Sequence, residues 1–244
     1  MEKVTIAALA QMKREGRKIV GVVLYDFPTA QIADRAGVDM VSVGDSIGAT
    51  LWGQSTETEV TLEELLVACK AVRRGAQRAL VSCDVPQGAV SAGIEAAAAA
   101  AVRLAKEGGA DLVKVLGAPE LVRSITRAGV AVFAEFHGDH GSPEQLVAEA
   151  RRLEEAGAAM LDFRHSGPVA GAAVSKAVSI PVIGGLGGGP WLDGRLRLAH
   201  TAICYGAKWV DSKAETYVNT AKLALQAFAA LAEDVRAGRQ IKGG

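Results

Sequence analysis

One module repeats along nearly the whole of this chain: an apolar run rich in β-branched residues, a polar or glycine turn, an amphipathic stretch, and a small-residue corner that leads into the next run. Strands that return in the same direction need a crossover long enough to hold a helix, so such a module builds a parallel sheet covered by helices. The runs predicted as strands cover residues 19–25, 40–45, 79–84, 112–116, 130–137, 159–165, 180–185 and 208–211. Helices are expected to begin near Pro28, Leu62, Ile94, Pro119, Pro143, Val169 and Leu196, with a last one over about 217–237. Thr61 before Leu62-Glu63-Glu64 and Ser142 before Pro143-Glu144 are favourable helix openers. Corners such as Arg35-Ala36-Gly37-Val38-Asp39 and Glu155-Ala156-Gly157-Ala158 carry the glycine that ends a helix and feeds a strand. Eight units in 244 residues point to the α/β class and to a single (β/α)8 TIM barrel. No Pro/Ser/Gly linker divides the chain, so one domain is expected over residues 1–244.

Composition agrees with that architecture and removes several functions. Half of the residues are hydrophobic but only 5% are aromatic, so the core must come from Ala, Val, Leu and Ile, which suits buried parallel strands. Basic and acidic residues balance at 27 each, leaving no cationic excess to follow a phosphate backbone, and no nucleic-acid partner is expected. The longest apolar stretch, around Ala96 to Val102, is too short for a bilayer, and the N-terminus has no signal-peptide core. A soluble, cytoplasmic protein with no membrane partner is expected. Cys69, Cys83 and Cys204 are odd in number and set in apolar segments, as small core residues are.

In a barrel of this kind polar residues at the C-terminal ends of the strands are the site candidates. The second strand ends Val43-Gly44-Asp45-Ser46 and the third Cys83-Asp84; the fourth carries Lys114, the fifth Glu135 and His137, the sixth Asp162 and Arg164. Charges inside apolar strands are costly unless paired or bound to a metal. Asp45 and Asp84 on neighbouring strands suit Mg2+, which takes oxygen ligands and keeps positions open for substrate oxygens. Lys114, one strand further, supplies a cation for an anion or enolate. Glu135, His137 and Arg164 fit either chemistry or mutual ion pairing, and Asp162 is expected one layer deeper in a structural role. His137-Gly138-Asp139-His140 is a metal-pair spacing, though one common on loops. The glycine run 184–189 before Pro190 reads equally as an anion-binding loop or a tight turn.

Four segments add a resemblance: Tyr25-Asp26-Phe27-Pro28-Thr29-Ala30, Val43-Gly44-Asp45-Ser46-Ile47-Gly48, Val60-Thr61-Leu62-Glu63-Glu64-Leu65 and Lys70-Ala71-Val72-Arg73-Arg74-Gly75-Ala76. With them the chain resembles the ketopantoate hydroxymethyltransferase family, more loosely onward through Ser179-Ile180-Pro181-Val182-Ile183-Gly184 to the C-terminal helix. The resemblance implies the barrel of the phosphoenolpyruvate mutase and isocitrate lyase superfamily and a homo-oligomer. It implies Mg2+ on Asp45 and Asp84 and a 2-oxo acid chelating the metal in contact with Ser46 and Lys114. In the family the substrate is enolised and its C3 attacks a one-carbon unit from 5,10-methylenetetrahydrofolate. Candidate substrate-binding residues are Gly44, Ser46, Arg164 and Tyr25; candidate catalytic residues are Lys114, Glu135 and His137.

Three positions depart from the family pattern. Leu116 stands where the family has an acidic residue, Glu135 where it has an active-site histidine, and Arg164 where it has the glutamate taken to remove the C3 proton. A guanidinium cannot be that base at neutral pH. The chain is also shorter than the family after the fifth strand. Glu135 becomes the first candidate for the base and His137 the second, with Arg164 gripping a distal carboxylate or pairing with Glu135. Three functions stay open on the sequence: addition of a one-carbon or aldehyde unit to a 2-oxo acid, carbon–carbon cleavage of a 2-oxo or 2-hydroxy diacid, and a non-catalytic barrel.

Overall fold

The computed structural model describes residues 2–243. Its strands close a parallel barrel in chain order: β1 (Ile19–Val23), β2 (Met40–Val43), β3 (Leu80–Asp84), β4 (Leu112–Leu116), β5 (Val132–His137), β6 (Ala158–Arg164), β7 (Val182–Gly184) and β8 (Gly194–Leu198). Helix α1 (Ile6–Arg14) precedes the barrel, and α2 (Phe27–Arg35), α3 (Leu62–Gly75), α4 (Gln87–Ser91), α5 (Ile94–Lys106), α6 (Pro119–Arg127), α7 (Pro143–Glu155) and α8 (Pro168–Ala177) fill the connections. The expected openers do their work: Thr61 and Ser142 each form a capping box, with Glu64 and Gln145 reaching back to the cap backbone. At the corners Gly37 and Gly157 hold φ of 84° and 102°, left-handed values that admit glycine and strain any other residue.

The chain separates into two compact units, Met1–Arg197 and Leu198–Gly244. The first holds β1 to β7 and nearly all of β8. Its core is aliphatic, with the strands buried almost throughout. In the second unit, α9 (Ala199–Ala202), a 3-10 turn at Ala207–Trp209 and α10 (Thr220–Arg236) follow one another. Asn219 caps α10 and also donates to the carbonyl of Trp209 at 2.9 Å.

The eighth strand is a correction. Residues 208–211, expected as strand, fall on the 3-10 turn Ala207–Trp209, and β8 is Gly194–Leu198, where a helix was expected from Leu196. Gly194-Arg195-Leu196-Arg197 alternates with a period of two, Gly194 and Leu196 buried and both arginines exposed, which is a strand pattern without the β-branched richness of the others. Gly194 permits closure onto β1, since a Cβ there would collide with the carbonyl of Ile19. The amide of Ile19 in turn donates to the carbonyl of Asp193 at 3.0 Å.

One irregularity positions the chemistry. Between β5 and β6 the register shifts at Val132/Phe133, after which Glu135 faces Asp162 and His137 faces Arg164. Because strand side chains alternate, a one-residue slip exchanges faces, so this shift puts the charged residues of both strands on the same side. The opposite side receives Phe136 and Phe163, stacked at 4.2 Å between centroids.

Candidate active site

Lys114, midway along β4, is the hub of the site. Its ammonium lies 3.3 Å from Asp84 Oδ2, 3.1 Å from Glu135 Oε2 and 3.7 Å from Asp162 Oδ2. Asp84 terminates β3 directly opposite Lys114 in register, which is why the two meet. Arg164, at the end of β6, places Nη2 2.8 Å from Glu135 Oε2 and Nε 3.6 Å from Asp162 Oδ2. His137 Nε2 stands 3.0 Å from Glu135 Oε1. Glu135 is thus held by a lysine, an arginine and a histidine at once. Asp162, expected to be structural, is fully buried and joins the network, with Oδ1 accepting from the amide of Gly185 at 3.2 Å.

Asp45 and Ser46 follow β2 on the same rim. The hydroxyls of Ser46 and Tyr25 are 2.9 Å apart. Gly44 leaves room between them and the carboxylates: a Cβ there would come within 3.0 Å of Ser46 Oγ and 3.4 Å of Asp84 Oδ2. Of the nine residues singled out as site candidates, Lys114 lies midway along β4 and the others lie toward the C-terminal ends of β1, β2, β3, β5 and β6 or just beyond them. Leu116, at the family's acidic position, is 59% exposed and makes no contribution to the charge cluster.

Four carboxylates, those of Asp45, Asp84, Glu135 and Asp162, share this space with two permanent cations, Lys114 and Arg164. Burial raises the Asp45 carboxyl above its usual range, and burial, with Asp45 and Glu135 nearby, pushes Asp84 up to about 7 against the opposing pull of Lys114. Burial likewise raises Asp162. Burial works against the charge on Lys114 too, but Asp84, Glu135 and Asp162 outweigh it and its pKa is raised. For Glu135 the balance goes the other way: burial is overcome by Lys114, Arg164 and His137, and the carboxyl is held below its usual value. Asp84 Oδ1 is buried without a hydrogen-bond partner among the described residues. A buried carboxylate oxygen with no donor, beside a second acidic residue in a cluster where carboxylates outnumber cations, is what a divalent oxygen-seeking cation requires. Asp45 and Asp84 are the residues that fit it.

The glycine run makes a turn after β7. Gly188 donates to Gly185 within it, Leu186 accepts from His165 at 2.8 Å, and the amide of Gly185 serves Asp162. The spacing His137-Gly138-Asp139-His140, noted in the sequence as one that can hold a metal but is common on loops, forms a group at the mouth: His137, Asp139 and His140 each bring a ligand-capable atom within 4.8 Å of the others. The His-x-x-His spacing was the available signal.

A closed (β/α)8 barrel with a lysine-centred carboxylate cluster at the C-terminal rim has the architecture of an enzyme site. Comparison with known sequences gives the family. A profile of ketopantoate hydroxymethyltransferase matches residues 3–240. Curated relatives named 3-methyl-2-oxobutanoate hydroxymethyltransferase include that of Geobacillus kaustophilus, 35% identical over 92% of this chain and 87% of its own length. That of Halalkalibacterium halodurans is 32% identical over 96% and 90%. This chain belongs to the ketopantoate hydroxymethyltransferase family, a family of enzymes. Among solved structures, 2,3-dimethylmalate lyase of the PEP mutase/isocitrate lyase superfamily superimposes with a TM-score of 0.64 at 17% identity, covering 96% of this chain and 88% of the lyase. Oxaloacetate acetylhydrolase with 3,3-difluorooxalacetate gives 0.66 at 12%, covering 97% and 88%. At those identities the likeness is one of fold.

Proposed function

We propose that the protein enolises a 2-oxo acid at C3 and joins that carbon to a one-carbon or aldehyde unit, a hydroxymethyltransferase-like reaction. The observation that carries this reading is the partnerless Asp84 Oδ1 next to Asp45, with Lys114 on the other Asp84 oxygen. Mg2+ held by Asp45 and Asp84 would supply Lewis-acid polarisation of the oxo acid, which acidifies C3. Lys114 adds a fixed cation where the oxo oxygen gains negative charge. Ser46, oriented by Tyr25, donates to the substrate carboxylate, and Gly44 keeps the approach open.

For the proton at C3 we assign His137 as acceptor and Glu135 as the carboxylate that orients it. Glu135 is kept ionised but weakly basic by Lys114 and Arg164, while His137, 29% exposed, sits at the wet edge of the cluster. The alternative in which Glu135 itself takes the proton is separated by mutation below. Cleavage of a diacid would need Arg164 for a distal carboxylate, and the guanidinium is instead committed to Glu135 and Asp162. This favours addition over cleavage.

The test is deuterium incorporation at C3 when the protein is incubated with Mg2+ and a panel of 2-oxo acids in D2O. Exchange without a one-carbon donor is expected, and added 5,10-methylenetetrahydrofolate or formaldehyde then shows which electrophile is used. Absence of exchange with every 2-oxo acid would refute enolisation. We further propose a cytoplasmic homo-oligomer without nucleic-acid partners. In support, no helix among the described residues is long and apolar enough to cross a membrane, and α10 exposes Leu223, Phe228, Leu231 and Val235.

A further inference from the structure

We propose that His137, Asp139 and His140 form a second metal site, specific for Zn2+ and similar borderline ions, on the rim of the barrel between β5 and α7. One ring nitrogen from each histidine and one carboxylate oxygen of Asp139 lie within 4.8 Å of one another. The three residues stand on the last position of β5 and the single 3-10 turn Gly138–His140, so their spacing is set by a short, well-defined piece of backbone. The rings of His137 and His140 are near-parallel at 6.2 Å, and a third ring, His165, meets His137 edge-on at 6.1 Å.

Two features hold this group together. Gly138 lets the β5 turn close on the end of β6, because a Cβ there would strike the carbonyl of His165. His165 itself has a φ of 50°, a left-handed conformation that a residue with a side chain keeps only where its surroundings impose it.

The donor set decides the metal. Two imidazoles and a carboxylate suit Zn2+, whereas Mg2+ prefers oxygen and keeps its water. Tetrahedral Zn2+ with bonds of about 2.0–2.1 Å holds its ligand atoms roughly 3.3 Å apart, so the three groups must draw together slightly. Asp139 and His140, with side chains 52% and 75% exposed, are free to do so. His137 also has the outer partner that ligating histidines use: Glu135 accepts from Nε2 at 3.0 Å, leaving Nδ1 for the ion. Water completes the shell. The oxygen site of Asp45 and Asp84 and the imidazole site therefore sort two different ions within one barrel mouth.

Occupancy has a consequence that rests on the assignment of His137 as proton acceptor: Zn2+ takes the lone pair that would receive the proton, and the ion inhibits. The test begins with binding rather than activity. Co2+ added to the metal-free protein is expected to give the visible absorption of a low-symmetry nitrogen and oxygen site, and Zn2+ to displace it. In His140→Ala the absorption disappears and Zn2+ affinity, by calorimetry, falls at least about tenfold. In Asp84→Asn both persist. Inhibition of C3 exchange by Zn2+ should be relieved in His140→Ala, whose basal rate stays that of the wild type. Wild-type Zn2+ affinity in His140→Ala, or loss of the Co2+ spectrum in Asp84→Asn, overturns the site whatever the outcome of the exchange assay.

Discussion

Lys114 and Asp84 face each other across β3 and β4, and the lysine occupies one carboxylate oxygen at 3.3 Å while the other stays buried and partnerless. The two oxygens thus differ: Oδ2 is held by the lysine, and Oδ1 is the one open to the proposed metal.

From this division follows the effect of removing the acids. Asp84→Asn and Asp45→Asn are each expected to weaken Mg2+ binding more than tenfold in calorimetry, since a neutral amide is a poor ligand for a hard cation. Circular dichroism should show an intact barrel in both. Unchanged Mg2+ affinity in both variants would place the metal elsewhere.

Lys114→Met removes the cation beside the oxo group and should lower C3 exchange by about 10²- to 10³-fold, the usual scale for a lost oxyanion contact. Substrate binding should suffer far less than turnover. A rate within roughly twofold of wild type would reassign Lys114 to charge balance alone.

The pH dependence of stability is expected to have the opposite slope to that of an ordinary carboxylate cluster. Asp84 is raised from 3.8 to about 7, so the folded, metal-free protein holds a proton that the unfolded chain has released. That contribution is full below the unfolded value and is lost as pH rises through about 7; Asp45 and Asp162, also raised, act in the same sense. Glu135, lowered, stabilises above its usual range and opposes the trend only in acid. Urea midpoints in EDTA should therefore fall between about pH 5 and 8, and saturating Mg2+ should abolish the fall. Equal slopes with and without Mg2+ would contradict this.

Glu135 and His137 are separated by paired substitutions. Glu135→Gln should lose C3 exchange in part, because the amide still positions His137, and destabilise the protein by about 3 kcal/mol through the cations it leaves uncompensated. His137→Gln should lose exchange by a further order of magnitude or more with little loss of stability, its ring being partly exposed. If His137→Gln exchanges at the wild-type rate while Glu135→Gln does not exchange at all, Glu135 is the base.

Much of this arrangement is legible in the amino-acid sequence. Apolar runs that must be buried on both faces mark β1 to β7, and the charges interrupting them mark Asp84, Lys114, Glu135 and Arg164, because an interior strand tolerates such residues only in company. What escaped depended on contacts distant in sequence. β8 has too few β-branched residues to declare itself, and only the closure of Gly194 on Ile19 explains it. The register shift at Val132/Phe133 leaves no mark in either strand alone, yet it decides which side chains of β5 and β6 meet. The role of Asp162 followed from the same shift.

The Glu135–Arg164 pair also bears on how such a site can change. The family pattern that this chain resembles has histidine and glutamate at these two positions, so acid and base have traded strands. Reverting position 164 alone sets two carboxylates side by side in a nearly closed space; reverting 135 alone leaves a histidine against a guanidinium. The first step juxtaposes like charges and the second leaves Arg164 and Lys114 without the Glu135 carboxylate they share, whereas the joint exchange restores a matched pair. The two positions form one heritable unit, and grafting the family's proton-transfer residues into this barrel requires both replacements in the same molecule.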